Sequence, residues 1–463
     1  MSVNRNTILI LALFATSILW SCKNSVSEAD QLTYAKHVAP IIIKNCISCH
    51  RDGGTAPFNL VNYRQVFRKK KTIKEVVENG IMPPWPADPS YSSFVGEKFL
   101  AEAEKQVLFD WIAQGAIFGD SADLPDIPKM SPLSQIGEPD MTLYMDSIEI
   151  KGNNRDRFFI VKIPFELPAN KYLRTIEFVT GEHNLVHHLN GHLLNYQDGM
   201  KRDVFAGKRV IDIEQDPQNF RDDFDSMQLQ NDDGSYPERV HSAVNFLPGV
   251  IGTVYPKGIG GFPVSKKAAI VANDIHYGPI PKTLTDRSHF NLFFTDQAPE
   301  RPTFEFMLGT NGVSPIIPAL VIEPGEVKTC TTRYTVPDDI SILTINPHMH
   351  LLGTKMLAYA ITPAKDTIRL IRINRWDFRW QYFYTFKQVK KIPKGSTIWV
   401  EATFDNTSDN PLNPFKPPRL VKERLDRTGM GMRTTDEMFQ FIVTWMPYRD
   451  GDENISLESS LND

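Results

Sequence analysis

Two of the four cysteines in this 463-residue chain lie in Cys46-Ile47-Ser48-Cys49-His50, and no other run constrains the N-terminal fold as strongly. C-x-x-C-H is the attachment signature of a c-type haem: both thiols become thioethers and the histidine ligates the iron. The same spacing also serves thiol–disulfide exchange in thioredoxin-like proteins, so the flanking segments have to decide between the two. Cys22 closes an apolar leader, and Cys330 stands alone far downstream. With Cys46 and Cys49 on haem and Cys22 on lipid, Cys330 has no partner. The chain is therefore expected to fold without an intrachain disulfide, held by apolar burial and by metals.

The leader supports an exported chain. Asn4 and Arg5 precede an apolar stretch over 8–20, too short to span a bilayer and suited to a signal h-region. It ends Leu19-Trp20-Ser21-Cys22, which resembles a bacterial lipoprotein signal; an ordinary secretory signal or an uncleaved anchor is the alternative. This predicts a signal peptide over 1–22, a tether over 23–32, and a periplasmic or outer-membrane-associated lipoprotein anchored at Cys22. A formal charge of −4 gives no reason to expect a nucleic-acid partner.

Around the motif, 34–44 reads as a helix with Val38, Ile41 and Ile42 on one face. The second axial ligand is expected from Met82 in Gly80-Ile81-Met82-Pro83-Pro84-Trp85, where the prolines fix an extended loop and Trp85 is expected to pack on the haem edge. An apolar stripe over 97–112 closes the segment as a helix, with Gly115 as its stop. This order resembles small class I cytochromes c and places such a domain over 33–119. Arg64, Arg68, Lys69, Lys70, Lys71 and Lys74 form either a solvated helix face or a docking surface for an acidic electron donor. Residues 120–139, proline-rich and aperiodic, read as a linker.

The remainder is built of short apolar runs bounded by Pro, Gly, Asn and Asp, the pattern of antiparallel sandwiches. A break near 297–302 divides it, predicting jelly-roll-like β-sandwiches over 140–299 and 300–452, with a tail over 453–463. The predicted fold is thus multidomain, a small all-α domain followed by two antiparallel β-sandwich domains.

The histidines give the body its chemistry. His187 and His188 are adjacent; His276 follows an apolar strand; His348-Met349-His350 has the i, i+2 spacing that turns two imidazoles to one face of a strand. Met438 opens the last strong strand. An all-imidazole set and a His₂Met set suit copper cycling between two oxidation states, since the thioether is a soft ligand favouring the reduced ion. A lone H-x-H is as readily an ordinary surface or core pair. His183, His192, His241 and His289 show no such pattern and read as structural or supporting residues.

Taken together, the segments Val186-His187-His188, Ile275-His276-Tyr277-Gly278, Pro347-His348-Met349-His350-Leu351-Leu352-Gly353 and Met432–Phe441 resemble the copper type II, ascorbate-dependent monooxygenase family, as do 375–381 and 404–407. The resemblance implies two mononuclear, uncoupled coppers per chain. His187, His188 and His276 would hold an electron-storing copper, and His348, His350 and Met438 the catalytic one. It also implies O₂ as co-substrate and hydroxylation of an sp³ carbon of a small organic molecule. The fusion of a haem c to this body leads to the further expectation that the haem, fed by an external small reductant or redox protein, passes electrons to the storage copper.

Departures limit the substrate. The animal enzymes are disulfide-rich, and this body keeps only Cys330. Where the peptide-amidating members carry an arginine two residues before H-x-H and a tyrosine four after the methionine, this chain has Asn346 and Ile442. Losing a bidentate carboxylate partner disfavours a C-terminal glycine peptide, unless Arg375, Arg433 or Arg449 replaces it. The competing functions are a non-hydroxylating haem/copper electron-transfer or copper-handling protein, and a recognition module that only inherits the sandwiches.

Overall fold

The computed structural model describes residues 31–127, 134–181, 185–213, 220–250, 252–423 and 435–458. The leader, Cys22, His183 and Arg433 lie outside them. With 38% strand and 13% helix in several antiparallel sheets, the chain is mostly β. Among the described residues no helix is long and apolar enough to cross a membrane.

The chain divides into two compact units: Met1–Ser48, Asn59–Pro83 and Leu100–Ile127 in one; Cys49–Phe58, Pro84–Phe99 and Pro128–Asp463 in the other. The first is helical. A π-turn over Tyr34–Val38 runs into Ala39–Asn45, followed by Tyr63–Glu78 and Glu102–Ala113. Asn62 caps the second of these helices by accepting from Gln65 N–H at 3.1 Å. Tyr34, Tyr63, Trp111 and Phe118 form its aromatic centre. The expected helix over 97–112 starts later, at Glu102, because residues 84–99 pack elsewhere.

They belong to the second unit, whereas the flanking helices belong to the first. Ala87 bridges Ile373 and Phe94 bridges Phe386. Asp88 pairs with Arg372 at 2.7 Å, and Trp85 lies 5.3 Å from both Tyr382 and Tyr384. A loop whose prolines bar internal ladder bonds satisfies itself against a neighbouring sheet.

The second unit carries the sheets. A five-stranded sheet includes Arg157–Glu166, Lys267–Tyr277 and Val186–Tyr196 side by side. Both of its faces are buried: Phe159, Val161, Ile163, Leu189 and Ile270 enter one core, and Ile160, Leu194, Ala269 and Val271 another. Its strands Arg157–Glu166 and Lys267–Tyr277 therefore read as near-continuous apolar runs. A four-stranded sheet built on Lys171–Val179 and His289–Thr295 faces the first of these cores.

Two four-stranded sheets follow. One joins Phe304–Gly309, Phe439–Pro447, Ile340–Met349 and Tyr384–Ile392 in that order. The other includes Thr397–Asp405, whose buried residues alternate with half-buried ones and put Ile398, Val400, Ala402 and Phe404 inward. Cys330 is fully buried in this core, and burial pushes its thiol up to about 11. It is a packing residue with no disulfide.

Candidate metal centres

His187 and His188 are neighbours on one strand and would ordinarily face opposite sides of the sheet. The register against Lys267–Tyr277 shifts between Val186 and His188, and His188 stands opposite His276. This bulge turns the pair toward the third imidazole. Ligand atoms of His187, His188 and His276 all lie within 4.8 Å of one another. Each of the last two is held from behind: His188 Nε2–H donates to Asp274 at 2.9 Å and His276 Nε2–H to Asp156 at 2.8 Å. That leaves the Nδ1 atoms facing inward, and His276 Nδ1 is buried with no hydrogen-bond partner. An orphaned imidazole nitrogen beside two others fits a metal. Phe158 stacks on His276 at 4.3 Å and fixes its plane.

His348 and His350 present the opposite nitrogens. His348 Nδ1–H donates to Gln381 Oε1, whose own amide donates to Phe378 O at 2.9 Å and is thereby fixed. His350 Nδ1–H donates to Asp436 O at 3.1 Å. Both Nε2 atoms are left for a metal, with ring centroids 5.1 Å apart. Met438 is 6% exposed and lines the same cavity. Glu437 ties this corner together, accepting from the backbone N–H of His350, of Leu352 at 2.9 Å and of Met438 at 3.0 Å.

Electrostatics suit cation binding. Burial lowers His187 to about 3, with His188 and His276 adding to it. Burial likewise lowers His348 to about 4 and His350 to about 3. Neutral imidazoles are the ligand form. Burial pushes Asp274 up, but His188 outweighs it and holds the carboxyl below its usual range.

The two sets share one cavity of about 270 Å³, lined by His188 from the first and by His348, His350 and Met438 from the second. Phe378 lies between them, stacked on His187 at 5.3 Å and edge-on to His350 at 5.6 Å. Asn190, Asn245, Asn346, Gln440, Asp274 and Glu305 supply the polar lining; Ile442 is apolar wall. Among the described lining residues there is no Lys or Arg, and Arg375 and Arg449 are not among them.

In the haem motif, His50 Nδ1–H donates to Phe58 O at 2.9 Å, which orients the ring and leaves Nε2 for iron. Neither Cys46 nor Cys49 is in a disulfide. That donor set fits a c-type haem.

Among the described residues neither set includes a carboxylate; Asp274 and Glu305 line the shared cavity, and Asp274 is engaged with His188 Nε2. The sequence reading did not foresee Asp156 and Asp274 behind the ring nitrogens. Asp274-Ile275-His276 carried a signal, since i and i+2 share a strand face. Gln381, Phe378 and Glu437 gave no such signal, because loops bring them in.

Residues 313–413 match the family model for the C-terminal domain of copper type II ascorbate-dependent monooxygenases. The matched stretch contains His348, His350, Phe378 and Gln381, and ends before Met438. No curated protein matches the chain. Among solved structures, that of broad bean stain virus covers 68% of this chain and 91% of its own at 7% identity and TM-score 0.20. The infectious bursal disease virus VP2 subviral particle covers 70% and 75% at 9% identity and TM-score 0.17. Overlaps this slight carry no argument about fold or function.

Proposed function

We propose that this protein is a copper-dependent monooxygenase that hydroxylates an sp³ carbon of a small organic substrate: R–H + O₂ + 2 e⁻ + 2 H⁺ → R–OH + H₂O. The observation that carries this reading is the pair of unlike donor sets, three clustered imidazoles and a His₂Met group, which meet at one cavity lined by His188, His348, His350 and Met438. Copper bound there supplies reversible one-electron chemistry and O₂ activation. The chain does the rest. Asp156 and Asp274 hold His276 and His188 in the ligating tautomer, and Gln381 does the same for His348. Glu437 sets the backbone that presents His350 and Met438. Phe158, Phe378 and Ile442 restrict water around the reacting carbon.

Asp274 and Glu305 are the ionisable carboxyls of the cavity, and its described lining holds no fixed cation. An anionic substrate would enter unpaired, so the reading favours a neutral or cationic one. A haem c held by Cys46 and Cys49, with His50 and Met82 as iron ligands, would supply the electrons after reduction by an external donor. The leader supports export and a lipid anchor at Cys22.

The test is metal content with isotope-labelled O₂. One haem c and two coppers per chain, with label in a hydroxylated product, are expected. Met438→Ala should lose O₂-dependent turnover while keeping the haem spectrum and the three-histidine copper; equal turnover rejects the catalytic assignment. Full metal loading with no product from any C–H substrate favours a non-hydroxylating electron-transfer protein.

A further inference from the structure

Three residues of the second unit gather around Cys49. Gly249 holds a φ of 74°, and a Cβ there would stand 2.8 Å from Cys49 Sγ, so glycine is required on both counts. Lys98 Nζ donates to Gly249 O and lies 5.8 Å from the centroid of the Tyr382 ring. Cys49 is near enough to act electrostatically on both Lys98 and Tyr382. Lys98, Gly249, Tyr382 and Trp85 line a cavity of about 320 Å³, and the Trp85 indole Nε1 is buried without a hydrogen-bond partner. The Lys98 ammonium on this cavity suits a carboxylate, and a haem c carries propionate carboxylates.

This cavity shares a wall residue with the one that holds His348, His350 and Met438. Phe383 lines both cavities. Gln381, the residue before Tyr382, meets His348 Nδ1, and Phe378 touches His350 and His187.

We propose that residues 378–383 are the electron route of this protein, with a haem carboxylate seated by Lys98. Tyr382 and Gln381 then lead first to the metal of His348, His350 and Met438, and Phe378 leads on to the three-histidine set. This rests on the haem and copper reading above. It inverts the expectation that the haem serves the three-histidine copper first. Each transfer oxidises one ferrous haem to ferric and reduces one Cu(II) to Cu(I); no bond is made or broken, and the external donor re-reduces the haem.

Haem and copper are assayed first, and absence of either group overturns both the reading and the route. In the loaded protein, the haem is reduced by a light flash without O₂ and its reoxidation is followed by absorbance. Reoxidation should persist in His187→Ala and be lost in His348→Ala. The opposite pattern overturns the route while leaving the bound groups in place. Gln381→Leu should slow it by about tenfold or more, equivalent to roughly 1.4 kcal/mol on the barrier, with the haem midpoint potential unchanged. An unchanged rate overturns the Gln381 step. Lys98→Met removes a positive charge that disfavours the ferric state, so the haem potential should fall; an unmoved potential overturns the carboxylate seat.

Discussion

The three-histidine set and the His348–His350–Met438 set present opposite ring nitrogens, and the groups behind them differ in kind. Carboxylates stand behind His188 and His276, while an amide oxygen and a backbone carbonyl stand behind His348 and His350. A carboxylate makes an imidazole more basic and a better partner for the oxidised ion. Neutral acceptors and a thioether make the second set softer, and a copper held there would be favoured in its reduced state. The backbone support differs too. The first set is built into ladder strands, whereas in the second only His348 is on a ladder strand, and His350 and Met438 sit just beyond strand ends held by one buried carboxyl, Glu437.

That last difference yields the largest expected effect. Glu437→Leu leaves three buried backbone donors unpaired, each costing about 1–3 kcal/mol. Thermal unfolding should shift down by several degrees or more, and copper should be lost from the second set alone. Copper analysis showing both sites emptied equally would break the distinction. A smaller effect is expected from Asp274→Asn, which keeps the shape but removes the charge behind His188. Cu(II) affinity at the first set should fall by about 10–100-fold, measured by competition with a chelator. An equal loss at the second set would show that the carboxylate serves the whole cavity.

Much of this was legible in residue order. The H-x-H spacing on a strand and the clean alternation over Thr397–Asp405 are period-2 patterns that burial of one face imposes. What escaped the sequence has physical causes. The strand Val186–Tyr196 interleaves His187, His188, Asn190, His192 and Asn195 with its apolar residues, so neither an apolar run nor a clean alternation marks it, and the bulge beside His187 leaves no compositional mark. Residues 84–99 read as part of one haem domain, yet their aromatic and ionic partners lie almost three hundred positions on, at Arg372 and Tyr382. Gln381 and Phe378 act through loop geometry that no local pattern encodes.

The smallest expected effect is on pH dependence of the metal-free protein. His348 and His350 are lowered to about 4 and about 3 by burial, from an ordinary value of 6.5. Between those limits the unfolded chain binds protons that the folded chain refuses, so stability is full above about 6.5 and declines as pH falls toward 4. His187, lowered to about 3, adds to the same trend from the first set. Replacing His348 by Gln and His350 by Leu together removes two such groups, His187→Leu one. Melting curves of metal-free protein from pH 7 to pH 5 should flatten more in the double variant than in the single one. A slope unchanged by either replacement would mean that these imidazoles take up protons freely in the folded state. The neutral-ligand account of both sets would then fail.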